Sequence, residues 1–87
     1  MNKMKTDPYY MALGSFFKKL REKNGWTYEE VAKPLGRSRG WYYDIEKGRN
    51  AVRVGDASKL CYLFGVTLNE MQAYIDGQLD NIEEFTE

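Results

Sequence analysis

Apolar positions along this chain fall into five stretches with helical spacing, separated by short polar breaks that carry Gly, Thr or Ser. Leu13, Phe16, Phe17 and Leu20 repeat at i, i+3, i+4 and i+7, which places them on one stripe of a helix. Asp7-Pro8 supplies its start, with Asp as cap and Pro at the first position, where a missing N–H costs nothing. Gly25 closes it, so the first helix is expected from Pro8 to Lys23 or Asn24, and Trp26 is placed to staple the entry to the next. Thr27 and Glu30 have the spacing of a capping box, followed by Val31, Ala32 and Leu35 on one face. Gly36 can take the left-handed conformation that ends a helix. Ser38 is the next N-cap, and Tyr42 and Ile45 form the inner face of a third helix over about Arg39 to Lys47. Val54, Ala57, Leu60, Cys61 and Phe64 describe the inward side of a fourth, beginning at Val54 or Asp56. Thr67 and Glu70 cap a fifth, in which Leu68, Met71, Tyr74 and Ile75 pack and which Gly77 ends.

Pro34 interrupts this pattern. It removes the bond to the Glu30 carbonyl, crowds that same group and biases Lys33 away from helical dihedrals. The second helix is therefore predicted to be shortened or kinked at Lys33. In the third, placing Tyr42 and Ile45 inward turns Gly40, Tyr43, Asp44 and Lys47 to the opposite side, with Trp41 and Glu46 on the flanks. Two short helices joined by a tight, Gly-containing turn make a helix-turn-helix, whose second helix can enter a DNA major groove.

The line LGSFFKKLREKNGWTYEEVAKPLGRSRGWYYDIEKGR, followed by LCYLFGVTLNEM, resembles the phage-repressor (Cro/C1, or XRE) type of helix-turn-helix domain. The resemblance is carried by Leu20-Arg21-Glu22 before Gly25, Thr27 with its acidic pair, and Leu35-Gly36 with Ser38-Arg39. It continues through Ile45-Glu46-Lys47-Gly48 to Phe64-Gly65-Val66-Thr67, in order and without gaps, over roughly Leu13 to Ile75. It implies an all-α fold, a compact five-helix bundle of the lambda-repressor-like type with helices 2 and 3 as the helix-turn-helix. It also implies a structural ion pair between Arg21 and Glu46. Three positions depart from the family. Pro34 stands where a helix former is usual, which leaves the angle between helices 2 and 3 open. Tyr28 stands where Gln is frequent, and Arg37 where an apolar residue is usual, which turns Arg37 outward towards phosphate.

Composition narrows the function. The net charge is zero, but residues 1–53 hold twelve Lys and Arg against six acids, and residues 54–87 one Lys against seven. That asymmetry describes a basic face and an acidic end. The expected layout is a flexible basic arm over 1–7, a helix-turn-helix DNA-binding domain over 8–76 and an acidic C-terminal tail over 77–87. The arm, with Lys3 and Lys5, either lies along DNA or is simply an unfolded terminus. In the tail, Leu79, Ile82 and Phe85 are spaced by three, which suits a frayed end, a short extra helix or a partner-binding segment. No apolar run approaches the ~18 residues of a membrane span, and MNKMKTDPYY lacks the apolar centre of a signal peptide. Cys61 is the only cysteine, so no internal disulfide forms and a cytoplasmic setting is expected. Its helical spacing marks it as a small core residue. One Cys and no His exclude the usual zinc ligand set, and no cofactor is expected. With no Cys/His or Ser/His pairing and no glycine-rich phosphate loop, the chain does not read as an enzyme.

Phosphate contacts position a DNA-binding protein and base contacts select the sequence. For phosphate the candidates are Thr27 and Tyr28 at the start of helix 2, Arg37 and Ser38 in the turn, Lys47, and Arg49, Asn50 and Arg53 beyond helix 3; the last three also suit a solvated loop. For base readout the candidates are Arg39, able to bond guanine bidentately, Gly40, which permits close backbone approach, Tyr43 and Asp44. Asp44 either accepts from cytosine N4 or marks a recognition helix seated differently. The expected function is a sequence-specific double-stranded DNA-binding transcriptional regulator, a small phage or bacterial repressor acting by operator occupancy, since no length remains for a sensing domain. A homodimer through helix 5 and the tail is its expected assembly. The competing reading is a protein-interaction module on the same scaffold, of antitoxin or antirepressor type, with the acidic tail as a contact for a protein partner.

Overall fold

Side-chain caps fix where four of the five helices begin. A computed structural model describes the backbone of residues 7–86 and the side chains of residues 7–81, so most of the expected basic arm lies outside the described residues. Asp7 accepts from Tyr9 N–H at 2.9 Å and starts α1, Pro8–Asn24; Gly25 ends it at φ 69°. At Thr27 the capping box closes in both directions, Thr27 N–H to Glu30 Oε1 at 2.8 Å and Glu30 N–H to Thr27 Oγ1 at 3.1 Å, and starts α2, Tyr28–Ala32. Ser38 accepts from Trp41 N–H at 3.1 Å and starts α3, Arg39–Glu46. α4 spans Val54–Phe64, and a second closed capping box at Thr67 and Glu70 precedes α5, Leu68–Thr86.

Pro34 shortens α2 as expected, but Lys33 does not leave the helical region. It sits at φ −59°, ψ −45°, with its N–H bonded to the Glu29 carbonyl. The chain instead tightens into a 3-10 turn over Lys33–Leu35, closed by Gly36 at φ 72°. Tighter winding absorbs the missing donor at Pro34, while Arg37 N–H reaches the Ala32 carbonyl at 3.1 Å and satisfies the helix end.

Two other expectations are corrected. Gly77 does not end α5; the helix runs on to Thr86. Gly77 keeps a negative φ, and Leu79 beyond it packs on the core, which offsets the roughly 1 kcal/mol that glycine costs in a helix. The segment expected as an acidic tail is thus largely helix. Val54 does not point inward but is 74% exposed, because it is the first residue of α4; Val52 on the preceding connection packs against the core in its place.

The five helices make an all-α bundle with no strand among the described residues. Its centre is Leu13, Phe17, Val31, Tyr42, Ile45, Leu60 and Ile75, all fully buried. α1 is the axis of the packing: α5 lies along one side of it and α3 along another, with α2 against α3. At the α1–α3 crossing Gly14 has no room for a side chain, since a Cβ there would overlap the carbonyl oxygens of Ile45 and Glu46. This close approach sets how far α3 stands out from the bundle.

Candidate nucleic-acid interface

α3 is anchored by two side chains. Tyr42 and Ile45 are buried, and the Tyr42 hydroxyl donates to the Phe17 carbonyl at 3.3 Å. Burial, reinforced by the nearby Glu46 carboxylate, pushes the Tyr42 phenol far above its ordinary range. At the helix end Arg21 Nε bonds Glu46 Oε2 at 2.7 Å and Nη2 bonds Oε1 at 3.1 Å, while Nη1 donates to the Trp26 carbonyl at 3.0 Å. Hydrogen bonding to Glu46 raises the Arg21 pKa against the opposing cost of burial. Trp26, expected as a staple for α2, stacks on Phe64 of α4 at 5.4 Å.

With that side turned in, Arg39, Gly40 and Lys47 are exposed and Tyr43 and Asp44 half-buried. The two helix starts of the motif differ in charge. The first turn of α2 carries Glu29 and Glu30, and the hydroxyl and N–H of Thr27 are both engaged with Glu30. The first turn of α3 carries no acid, and Ser38, which accepts from Trp41 N–H, keeps its hydroxyl proton to donate. At the start of α3 no first-turn acid competes with an anion, whereas at the start of α2 Glu29 and Glu30 do, with Arg21 and Arg39 beside Tyr28. Gly40 faces open space, so a partner can approach the backbone there.

The remaining site residues are drawn into cation–aromatic contacts. Tyr28 lies under Arg21 at 4.3 Å and Arg39 at 5.9 Å, and its ring meets Tyr43 edge-on at 5.2 Å. Tyr43 takes Lys47 at 5.2 Å and Arg49 at 5.8 Å. Asp44 is not a free carboxylate: Arg49 Nη1 stands 3.3 Å from its Oδ1. Arg37 turns out of the motif, but its guanidinium bonds Asp56 of α4 at 2.9 Å and lies over Trp41 at 4.8 Å. Arg37 is exposed, and its first partner is a carboxylate of the same chain. Asn50 is half-buried and Arg53 is exposed at the start of α4, where it makes no side-chain cap bond.

Sequence reasoning missed Asp56 as the partner of Arg37 and the contact between Tyr28 and Tyr43. Both depend on how α2 and α4 are set against α3, and no local spacing encodes that. Cys61 is buried, and burial raises its thiol pKa. Among the described residues no cluster of His, Cys, Asp or Glu could hold a metal, and no helix is long and apolar enough to cross a membrane.

Comparison with known proteins fits this geometry. A family model described as a helix-turn-helix domain matches residues 12–73, which takes in every element from α1 through the first turns of α5. No match was found among curated proteins or among solved structures. A domain of this kind points to a DNA-binding regulator. The chain belongs to the helix-turn-helix domain family, in keeping with the Cro/C1 pattern its sequence carries.

Proposed function

We propose that this protein is a sequence-specific double-stranded DNA-binding transcriptional regulator, a small phage or bacterial repressor that acts in the cytoplasm by occupying its operator. The observation that carries the reading is the start of α3, an exposed, acid-free helix end presenting Ser38, Arg39 and Gly40. Arg39 reads a guanine, a discrimination worth about 1–3 kcal/mol, with Gly40 allowing the backbone to come close. Ser38, Lys47, Arg49, Asn50 and Arg53 take phosphates along the flanks. Arg37, itself exposed, joins them on release from Asp56. Tyr28 contributes mainly through its ring, and Thr27 through its cap. Two copies joined through α5 and its C-terminal end would present two such helices to half-sites one turn of DNA apart.

Selection from a pool of random duplexes tests the proposal. An enriched, two-fold symmetric site containing guanine is expected, with Arg39→Ala losing about tenfold to a hundredfold in affinity and its preference at one base. No enrichment with a properly folded sample would overturn it.

One observation favours a second reading, a protein-interaction module. Pro34, Leu35, Ser58, Lys59, Tyr62 and Leu63 line a surface groove of about 670 Å³, and Tyr62 is 89% exposed. Exposed apolar surface of this kind marks binding sites. A heteromeric complex that Arg39→Ala protein forms as readily as wild type, and Tyr62→Glu protein does not, would select this reading.

A further inference from the structure

Four cations of α1, α3 and the following connection share two touching aromatic rings. Lys47 Nζ lies 5.2 Å and Arg49 Cζ 5.8 Å from the centre of the Tyr43 ring. Tyr28 meets that ring edge-on at 5.2 Å and itself carries Arg21 at 4.3 Å and Arg39 at 5.9 Å. The negative face of an aromatic ring attracts a cation within about 6 Å of its centroid, and an edge-to-face ring pair is favourable in its own right. Asp44 holds Arg49 from a second direction, at 3.3 Å. Lys and Arg otherwise lose much rotamer freedom when a partner fixes them.

We propose that Tyr43, braced by Tyr28, is a positioning residue for the DNA interface, holding Lys47 and Arg49 at a set spacing before DNA arrives. The proposal rests on the DNA-binding reading of α3. It moves Tyr43 from reading bases to presenting the phosphate clamps, and it gives the tyrosine at position 28 a task that an amide cannot perform. Part of the ordering cost of binding is then met within the free protein, which is how pre-organisation raises affinity.

The test uses the full chain and a duplex recovered by selection. Tyr43→Phe keeps the ring and is expected to bind within about twofold of wild type, while Tyr43→Leu weakens binding by about fivefold to thirtyfold, the loss of two exposed cation–π contacts. In a cycle with Arg49→Ala the double variant loses less than the product of the single losses, because the two residues act together. The base preference of Tyr43→Leu stays that of wild type. Losses that multiply in full, or a relaxed preference at one base, show Tyr43 touching DNA itself and overturn the proposal.

A second measurement needs neither DNA nor a variant. Ring currents from Tyr43 shift the Lys47 ε and Arg49 δ protons upfield in the NMR spectrum of the free wild-type chain; their absence overturns the proposal. If the shifts are present and wild type binds no duplex, the DNA-binding reading fails and the positioning role fails with it. If wild type binds and the cycle is additive, only the role of Tyr43 fails.

Discussion

Glu46 has a side chain only 2% exposed, and its charge is tolerable there because Arg21 meets it with two hydrogen bonds. Removing one member of such a pair leaves the other buried and uncompensated, a loss of about 3–5 kcal/mol. Glu46→Ala is accordingly expected to lower the denaturant midpoint sharply, whereas Asp44→Ala, at a side chain 39% exposed, costs less than about 1 kcal/mol. Tyr42 gives a pH dependence whose sign follows from its burial. The folded state holds the phenol proton above the ordinary value of 10.0, so the stability it contributes is complete below pH 10 and is lost as pH rises beyond it. Melting temperatures measured from pH 8 to 11 should fall at the alkaline end, and Tyr42→Phe should flatten that fall while giving up about 1 kcal/mol for its bond to Phe17. At this scale the inward side of α3 was legible from the spacing of Tyr42 and Ile45 alone. The partner of Arg37 was not, because Asp56 reaches it through the relative placement of elements, and that of Asp44 depends on how the chain turns back at Gly48 after α3.

The helices themselves were the most readable level of the chain. Thr27 with Glu30, Ser38, and Thr67 with Glu70 each mark a start by hydrogen-bonding chemistry contained within four residues, and each start lies where that chemistry places it. Ends were harder to read. Gly25, Gly36 and Gly65 take positive φ and stop their helices, while Gly77 keeps a negative φ and lets α5 continue. What separates them is the following chain: Leu79 finds the core only if the winding goes on. Gly14 could not be singled out in advance, for its need is set by the carbonyls of Ile45 and Glu46 from another helix. Gly14→Ala should force α1 and α3 apart and destabilise the bundle by about 1–3 kcal/mol, the range for overpacking. A thermal melt checks this, with Gly40→Ala, where the added methyl meets nothing, as the control.

Across the molecule, charge is sorted by sequence half. Arg37, Arg39, Lys47, Arg49 and Arg53 lie in and around α3 and the connection after it, and α5 with its acids packs along α1. A zero net charge is thus compatible with a local excess of cations along the motif, which is the condition for attracting a polyanion. The most direct test of whether that surface meets DNA is the affinity of wild-type protein for its selected duplex, measured by fluorescence anisotropy across a range of salt. Each neutralised phosphate should contribute about −0.9 to the slope of log affinity against log salt, so several contacts along α3 and Arg49 to Arg53 give a steep fall, made shallower by about one in Arg53→Ala. An affinity that does not change with salt, in protein shown to be folded, would contradict the placement of α3 against DNA.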